Sequence, residues 1–142
     1  MAVDVYINFR GNCRAAVEFY AEVFGTDKPK IMIFGDAPPN PEFALSEETK
    51  NLVMHTKLNI KGTNIMFSDT PTDMPFISGN NISLVIGSKD IEEIKSLFNM
   101  LKEGGNVMMD LQETFWSKSY GYLTDKFGIQ WQLSLDNGQM TM

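Results

Sequence analysis

Apolar and polar positions along this chain recur with two periods, and the order in which the periods change is the first structural signal. VYINF (5–9) and ISLVI (82–86) are short apolar runs rich in β-branched residues, which suit strands. Each is followed by apolar residues at helical spacing: Ala16, Phe19, Tyr20 and Val23 in one case, Ile94, Leu97, Phe98 and Leu101 in the other. Asn12 and Asp90 stand as matched N-caps, and Gly25 and Gly104 with Gly105 stand where a helix C-terminus takes glycine. The spacing predicts helices over residues 12–24 and 90–103.

The two segments read as one unit written twice, with the helices offset by 78 positions. IMIFG (31–35) and VMMDLQ (107–112) continue the copies as strands. VMHTKLNIKGTNIMFS (53–68) then parallels SYGYLTDKFGIQWQLS (119–134), two hairpins with glycines at Gly62 and Gly128. Here the offset is 66, and the difference is taken up by DAPPNPEFALSEETKN (36–51), a Pro- and acid-rich insert expected to be an exposed, mobile loop. The expected fold is α+β: two βαβββ modules, about 1–70 and 80–136, within a single domain spanning 1–142. One helix covers one face of each sheet, so the other faces form a cupped mixed sheet with the helices outside.

Tandem βαβββ modules resemble the vicinal oxygen chelate superfamily, which includes glyoxalase I, extradiol dioxygenases and the bleomycin and fosfomycin resistance proteins. NFRGNCRAAVEFYAEVFG, VMHTKLNIKGTNIMFSD and QETFWSKSYGYLTDKFGIQW are similar to its PhnB-like branch, and the similarity runs along nearly the entire chain. That branch often carries the name demethylubiquinone methyltransferase, yet this sequence has no Gly-rich strand-to-helix turn of the sort that cradles a nucleotide-like cofactor.

In metal-dependent relatives a divalent ion sits in the cup, held by one residue from the first and one from the last strand of each module. Counted from the helix caps and the hairpin glycines, those positions fall here on Val5, Ser83, Met66 and Gln132. None is a histidine or a carboxylate, and a hard cation finds one neutral oxygen at best, on Gln132. The expectation is therefore no metal and no cofactor.

The remaining polar residues offer other chemistry. His55 is the sole histidine, mid-strand, with Val53 and Lys57 on its side and Met54, Thr56 and Leu58 on the other. An imidazole titrating near neutrality makes it the best candidate general base, though it has no second histidine or cysteine for a dyad. On the last strand Gln130, Gln132 and Ser134 form a polar row opposite Trp131 and Leu133. With Gln132 inward, joined by Trp116, Tyr120 and Met66, the cup is lined by rings, amides and adaptable apolar surface that suit an organic ligand. Glu113 is an acid among aromatic residues, whereas Asp125 and Lys126 read as turn residues.

Charge narrows the partners. A formal net charge of −6 and a pI near 4.7, with the cations scattered, argue against nucleic acid. MAVDVYINF has neither the basic nor the apolar region of a secretory signal, and no stretch approaches the length of a membrane span. The single cysteine, Cys13, reads as a small helix residue of a cytoplasmic protein. The function implied is a PhnB-like protein that binds a small organic molecule without the superfamily metal, comparable to the resistance proteins that sequester a drug. The alternative is a glyoxalase-like lyase or dioxygenase-type enzyme, metal-dependent or using His55 as base. A homodimer is expected, because many relatives of the family complete their cups across a two-fold interface.

Overall fold

The computed structural model describes residues 1–42 and 44–136. The chain divides into two compact units, Met1–Ile77 and Ser78–Met142. In the first, β1 (Val5–Phe9) leads into α1 (Cys13–Phe24), followed by β2 (Met32–Ile33), α2 (Glu47–Lys50), β3 (Val53–Ile60) and β4 (Thr63–Asp69). In the second, β5 (Ser83–Ser88) leads into α3 (Ile91–Leu101), followed by β6 (Asn106–Gln112), β7 (Tyr120–Thr124) and β8 (Gln130–Leu135). Each unit forms a four-stranded mixed sheet of the same topology, β1-β4-β3-β2 and β5-β8-β7-β6, whose one parallel pair joins its first strand to its last. The α+β class and the doubled βαβββ order are those the periodicity predicts.

Apolar helix faces explain the packing. Cys13, Ala16, Val17, Tyr20 and Val23 of α1 are buried, and Tyr20 stacks at 5.9 Å on Phe67 of β4, which also stacks on Phe9 at 6.3 Å. Ile94, Leu97, Phe98 and Leu101 of α3 are buried over the second sheet, where Leu123, Trp131 and Leu133 are buried too. Fully burying such side chains contributes about 1.5–3 kcal/mol each. Glycine at 121 lets α3 pack close on β7: a Cβ there would lie 2.6 Å from Cε2 of Phe98. Gly25 ends α1 in the left-handed conformation, φ 63°, its N–H turned back to the Ala21 and Glu22 carbonyls.

Three sequence expectations change. IMIFG is not a full strand: β2 is two residues long, because Asp36 accepts the Ile33 N–H at 3.0 Å and draws Phe34–Asp36 into a 3₁₀ turn. The insert is not all loop, since Ser46 caps α2 by accepting from the Thr49 N–H at 3.1 Å. The N-caps are not matched. Asp90 accepts from the Glu92 and Glu93 N–H groups, whereas the Asn12 side chain makes no capping bond. Asp69, at the end of β4, serves α1 instead, accepting from the Gly11, Cys13 and Val53 N–H groups at 2.8, 3.0 and 2.9 Å.

Candidate functional site

On the second sheet, cross-strand register sorts the side chains. Gly121 stands opposite Leu133 and Leu123 opposite Trp131, on the face that α3 covers. The other face carries Tyr120, Tyr122, Gln130 and Gln132, with Ser83 and Val85 from β5. There the Tyr120 hydroxyl donates to Oε1 of Gln132 at 2.7 Å, and Nε2 of Gln132 donates to the Ser83 hydroxyl at 2.7 Å. Tyr122 donates to Oε1 of the buried Gln130 at 3.2 Å. Both oxygens are thereby turned toward β7 and the amides lie fixed across the face.

Trp116 meets Tyr120 edge-on at 5.2 Å, and Phe115 meets Trp116 edge-on at 4.7 Å. Neither ring lies in a strand, since β6 stops at Gln112. A turn follows in which the Thr114 N–H donates to the Ser117 carbonyl at 2.8 Å. The Ser117 hydroxyl donates to the carbonyls of Ser119 and Leu135, both at 2.9 Å, which pins the turn to the sheet. Phe115 is left 98% exposed. No charged side chain belongs to this cluster, and burial, with Tyr122 adding to it, pushes the Tyr120 hydroxyl up from its ordinary value so that it stays protonated. The indole N–H of Trp116 has no acceptor among the described residues, so the face offers a free donor beside rings packed edge-on.

Of the candidates read from sequence, the structure brings Gln132, Tyr120 and Trp116 into one chain of contacts. Glu113 lies exposed in the turn, with no hydrogen bond or ion pair among the described residues. Met66 and His55 belong to the first sheet, on the face turned from α1. Met66 stands beside Tyr6 and Lys57, and the Tyr6 hydroxyl lies 3.5 Å from Nδ1 of His55. Tyr6 is the imidazole's one polar partner among the described residues, so no carboxylate orients His55 as a base. The register corrects one position: Met66 pairs with Tyr6, not Val5, whereas Ser83 keeps the face of Gln132 and accepts its amide N–H at 2.7 Å. Val5 stands beside Ile65 on the core side. The superfamily's divalent ion does not fit Tyr6, Met66, Ser83 and Gln132, which supply a phenol, a hydroxyl and one amide oxygen and no anionic ligand. Among the described residues, no group of three or more His, Cys, Asp or Glu is arranged to hold a metal.

Sequence reasoning missed two buried acids that position these faces. Asp69 ties the start of α1 to β3 and β4. Asp125, read only as a turn residue, is buried, accepting from the Phe127 and Ile129 N–H groups and from the Trp131 indole at 2.8 Å. The signal available for Asp125 was local, an Asp three residues before Gly128; Asp69 had none, because its partners on α1 are 56 and 58 positions away. Cys13 is fully buried, and burial, then the Asp69 charge, push its thiol up to about 12, against a small opposing effect of Arg14. It is a packing residue and no nucleophile at neutral pH.

Known proteins share this fold. The family model for 3-demethylubiquinone-9 3-methyltransferase matches residues 2–134. Protein YjdN of Escherichia coli (strain K12) is 31% identical over 148 residues, covering 99% of each chain. Protein PA1353 from Pseudomonas aeruginosa superposes with a TM-score of 0.83 at 31% identity, over 95% of this chain and 97% of that one. A putative 3-demethylubiquinone-9 3-methyltransferase, PhnB protein, from Bacillus cereus does so at 0.71 and 26%, over 95% and 99%. A glyoxylase/bleomycin resistance protein/dioxygenase domain from Frankia sp. EAN1pec shares the fold, at 0.64 and 14%, over 95% and 96%. No helix among the described residues is long and apolar enough to cross a membrane.

Proposed function

This chain belongs to the 3-demethylubiquinone-9 3-methyltransferase family, the PhnB-like branch of the vicinal oxygen chelate superfamily, and on that premise we propose that it binds an uncharged, planar organic molecule on the open face of its second sheet. The observation that carries the reading is the chain of contacts from Trp116 through Tyr120 and Gln132 to Ser83. It joins ring surface, a free indole donor and amides locked in orientation, with no charge to repel or demand one. Rings supply area at small entropic cost, and the fixed polar groups select a ligand with a carbonyl or ether acceptor.

Methyl transfer, which the family's name implies, fits these residues poorly. A nucleotide-like cofactor seats its anionic group on a helix N-terminus, and here both long helices meet a carboxylate of the chain itself, Asp69 at α1 and Asp90 at α3. We therefore read the protein as working without that cofactor and without the superfamily metal. The same reading makes it a cytoplasmic homodimer, in which Val85, Met108 and Met109, exposed and apolar, gain cover.

Screening uncharged aromatic compounds by thermal shift, followed by calorimetry on variants, tests the proposal. Trp116→Ala and Gln132→Ala should each weaken binding by about tenfold or more, as expected for a lost ring contact or a lost amide, while Met66→Ala leaves it unchanged. Equal affinity in all three variants would sink the assignment. Metal analysis of protein purified without chelator checks the metal-free part, and a stoichiometric divalent ion would overturn it. Gln132→Glu, which restores one acid, should gain little metal affinity.

A further inference from the structure

The first unit holds a second recess, of opposite electrical character. It arises from the shortness of β2, which pairs with β3 only at Met32–His55 and Ile33–Val53. Beyond His55 no described strand covers the outer edge of β3. The segment from Gly25 to Met32 runs beside that edge instead, held by the Thr56 hydroxyl donating to the Lys30 carbonyl at 2.8 Å. Between them lies a cleft of about 1150 Å³, room enough for a small organic molecule.

Its lining combines cationic and apolar residues. Lys28, Lys30 and Lys57 all border it, and none of their ammonium groups makes a hydrogen bond or ion pair among the described residues, in a protein of net charge −6. The Lys50–Glu47 ion pair lies elsewhere. Asp27 and Asp36 also border the cleft, but Asp36 is engaged by the Ile33 N–H, and the lysines outnumber the two acids. His55 also lines it, and Ile31, Met32 and Leu58 supply apolar wall. Three unpaired ammonium groups around one concavity raise the local concentration of anions and hold an oxyanion at low ionic strength.

We propose that this cleft binds a small organic anion, a carboxylate, sulfonate or phosphate group carried on an apolar body, with Lys28, Lys30 and Lys57 holding the head and the Met32–Leu58 wall receiving the body. This site is distinct from the uncharged face of the second sheet, and its test does not depend on that assignment.

The probe is 8-anilinonaphthalene-1-sulfonate, with uncharged N-phenyl-1-naphthylamine as its control, titrated into the full chain and followed by fluorescence and by amide chemical shifts. The sulfonate should shift amides of residues 25–32 and 55–59, more tightly at low salt than at high salt. Replacing all three lysines (Lys28→Gln, Lys30→Gln, Lys57→Gln) should weaken it about tenfold or more, from three exposed charge contacts. The corresponding Lys→Arg variant should restore binding, and Gln132→Ala should leave it unchanged. The proposal is overturned if the glutamine variant binds as wild type does, if the shifts fall on residues 115–134 instead, or if the uncharged naphthylamine binds this cleft as tightly as the sulfonate.

Discussion

Helix α3 is capped by Asp90 at its own N-terminus, while α1 has Asn12 at the matching place and takes its carboxylate from Asp69, at the far end of β4. The buried acids of the two units differ in the same sense. Asp125 holds Phe127, Ile129 and Trp131, all within six residues of itself, whereas Asp69 links the start of α1 to the start of β3. One repeated order of elements is thus secured locally in the second unit and across the sheet in the first. Duplication of a topology does not require duplication of the bonds that hold it. Each orphan N–H needs an acceptor, and an acceptor brought by tertiary folding serves as well as one brought by sequence.

The contrast extends to the open faces. The second sheet has a seven-residue fourth strand and a self-satisfied row of tyrosines and glutamines. The first has a two-residue fourth strand and an edge bordered by unpaired lysines. A complete sheet fixes polar side chains to one another, and a truncated one leaves room and charge unassigned.

Substitutions test this contrast, the largest effect coming from the remote cap. Asp69→Ala leaves three part-buried or buried N–H groups without their acceptor and should cost about 4 kcal/mol in urea unfolding. A loss below about 1 kcal/mol would mean that water replaces the carboxylate and that the remote cap contributes little. Next comes Gly105→Ala, which puts a Cβ against the Thr124 carbonyl oxygen, a backbone atom that cannot step aside. About 3 kcal/mol is expected, against little change for Gly87→Ala, where a Cβ meets nothing within 4 Å.

Alkaline pH gives a smaller effect confined to the first unit. The folded Cys13 thiol titrates near 12 and the ordinary value is 9.0, so the unfolded chain releases its proton first. Stability from this group is complete below about pH 9 and falls as pH rises toward 12. At pH 10 the loss should be about 1.4 kcal/mol, measured as the difference in pH dependence between wild type and Cys13→Ala. Parallel curves would show that the thiol is not held neutral by the fold. The smallest effects sharpen the comparison of caps: Asp90→Ala should cost about 1 kcal/mol and Asn12→Ala less than about 0.5 kcal/mol. Equal costs would erase the distinction between a local and a remote cap.

Periodicity by itself determined the repeat, the two long helices and the hairpins, because which side of a helix or strand is apolar depends on spacing within a dozen residues. It also determined the polar row of Gln130 and Gln132, whose shared face follows from a period of two. Two things only the tertiary structure decided. Tyr6 rather than Val5 came to stand beside Met66, and Asp69 reached α1. Each depends on strand register or on partners brought together by folding, and neither is written in the spacing of neighbouring residues.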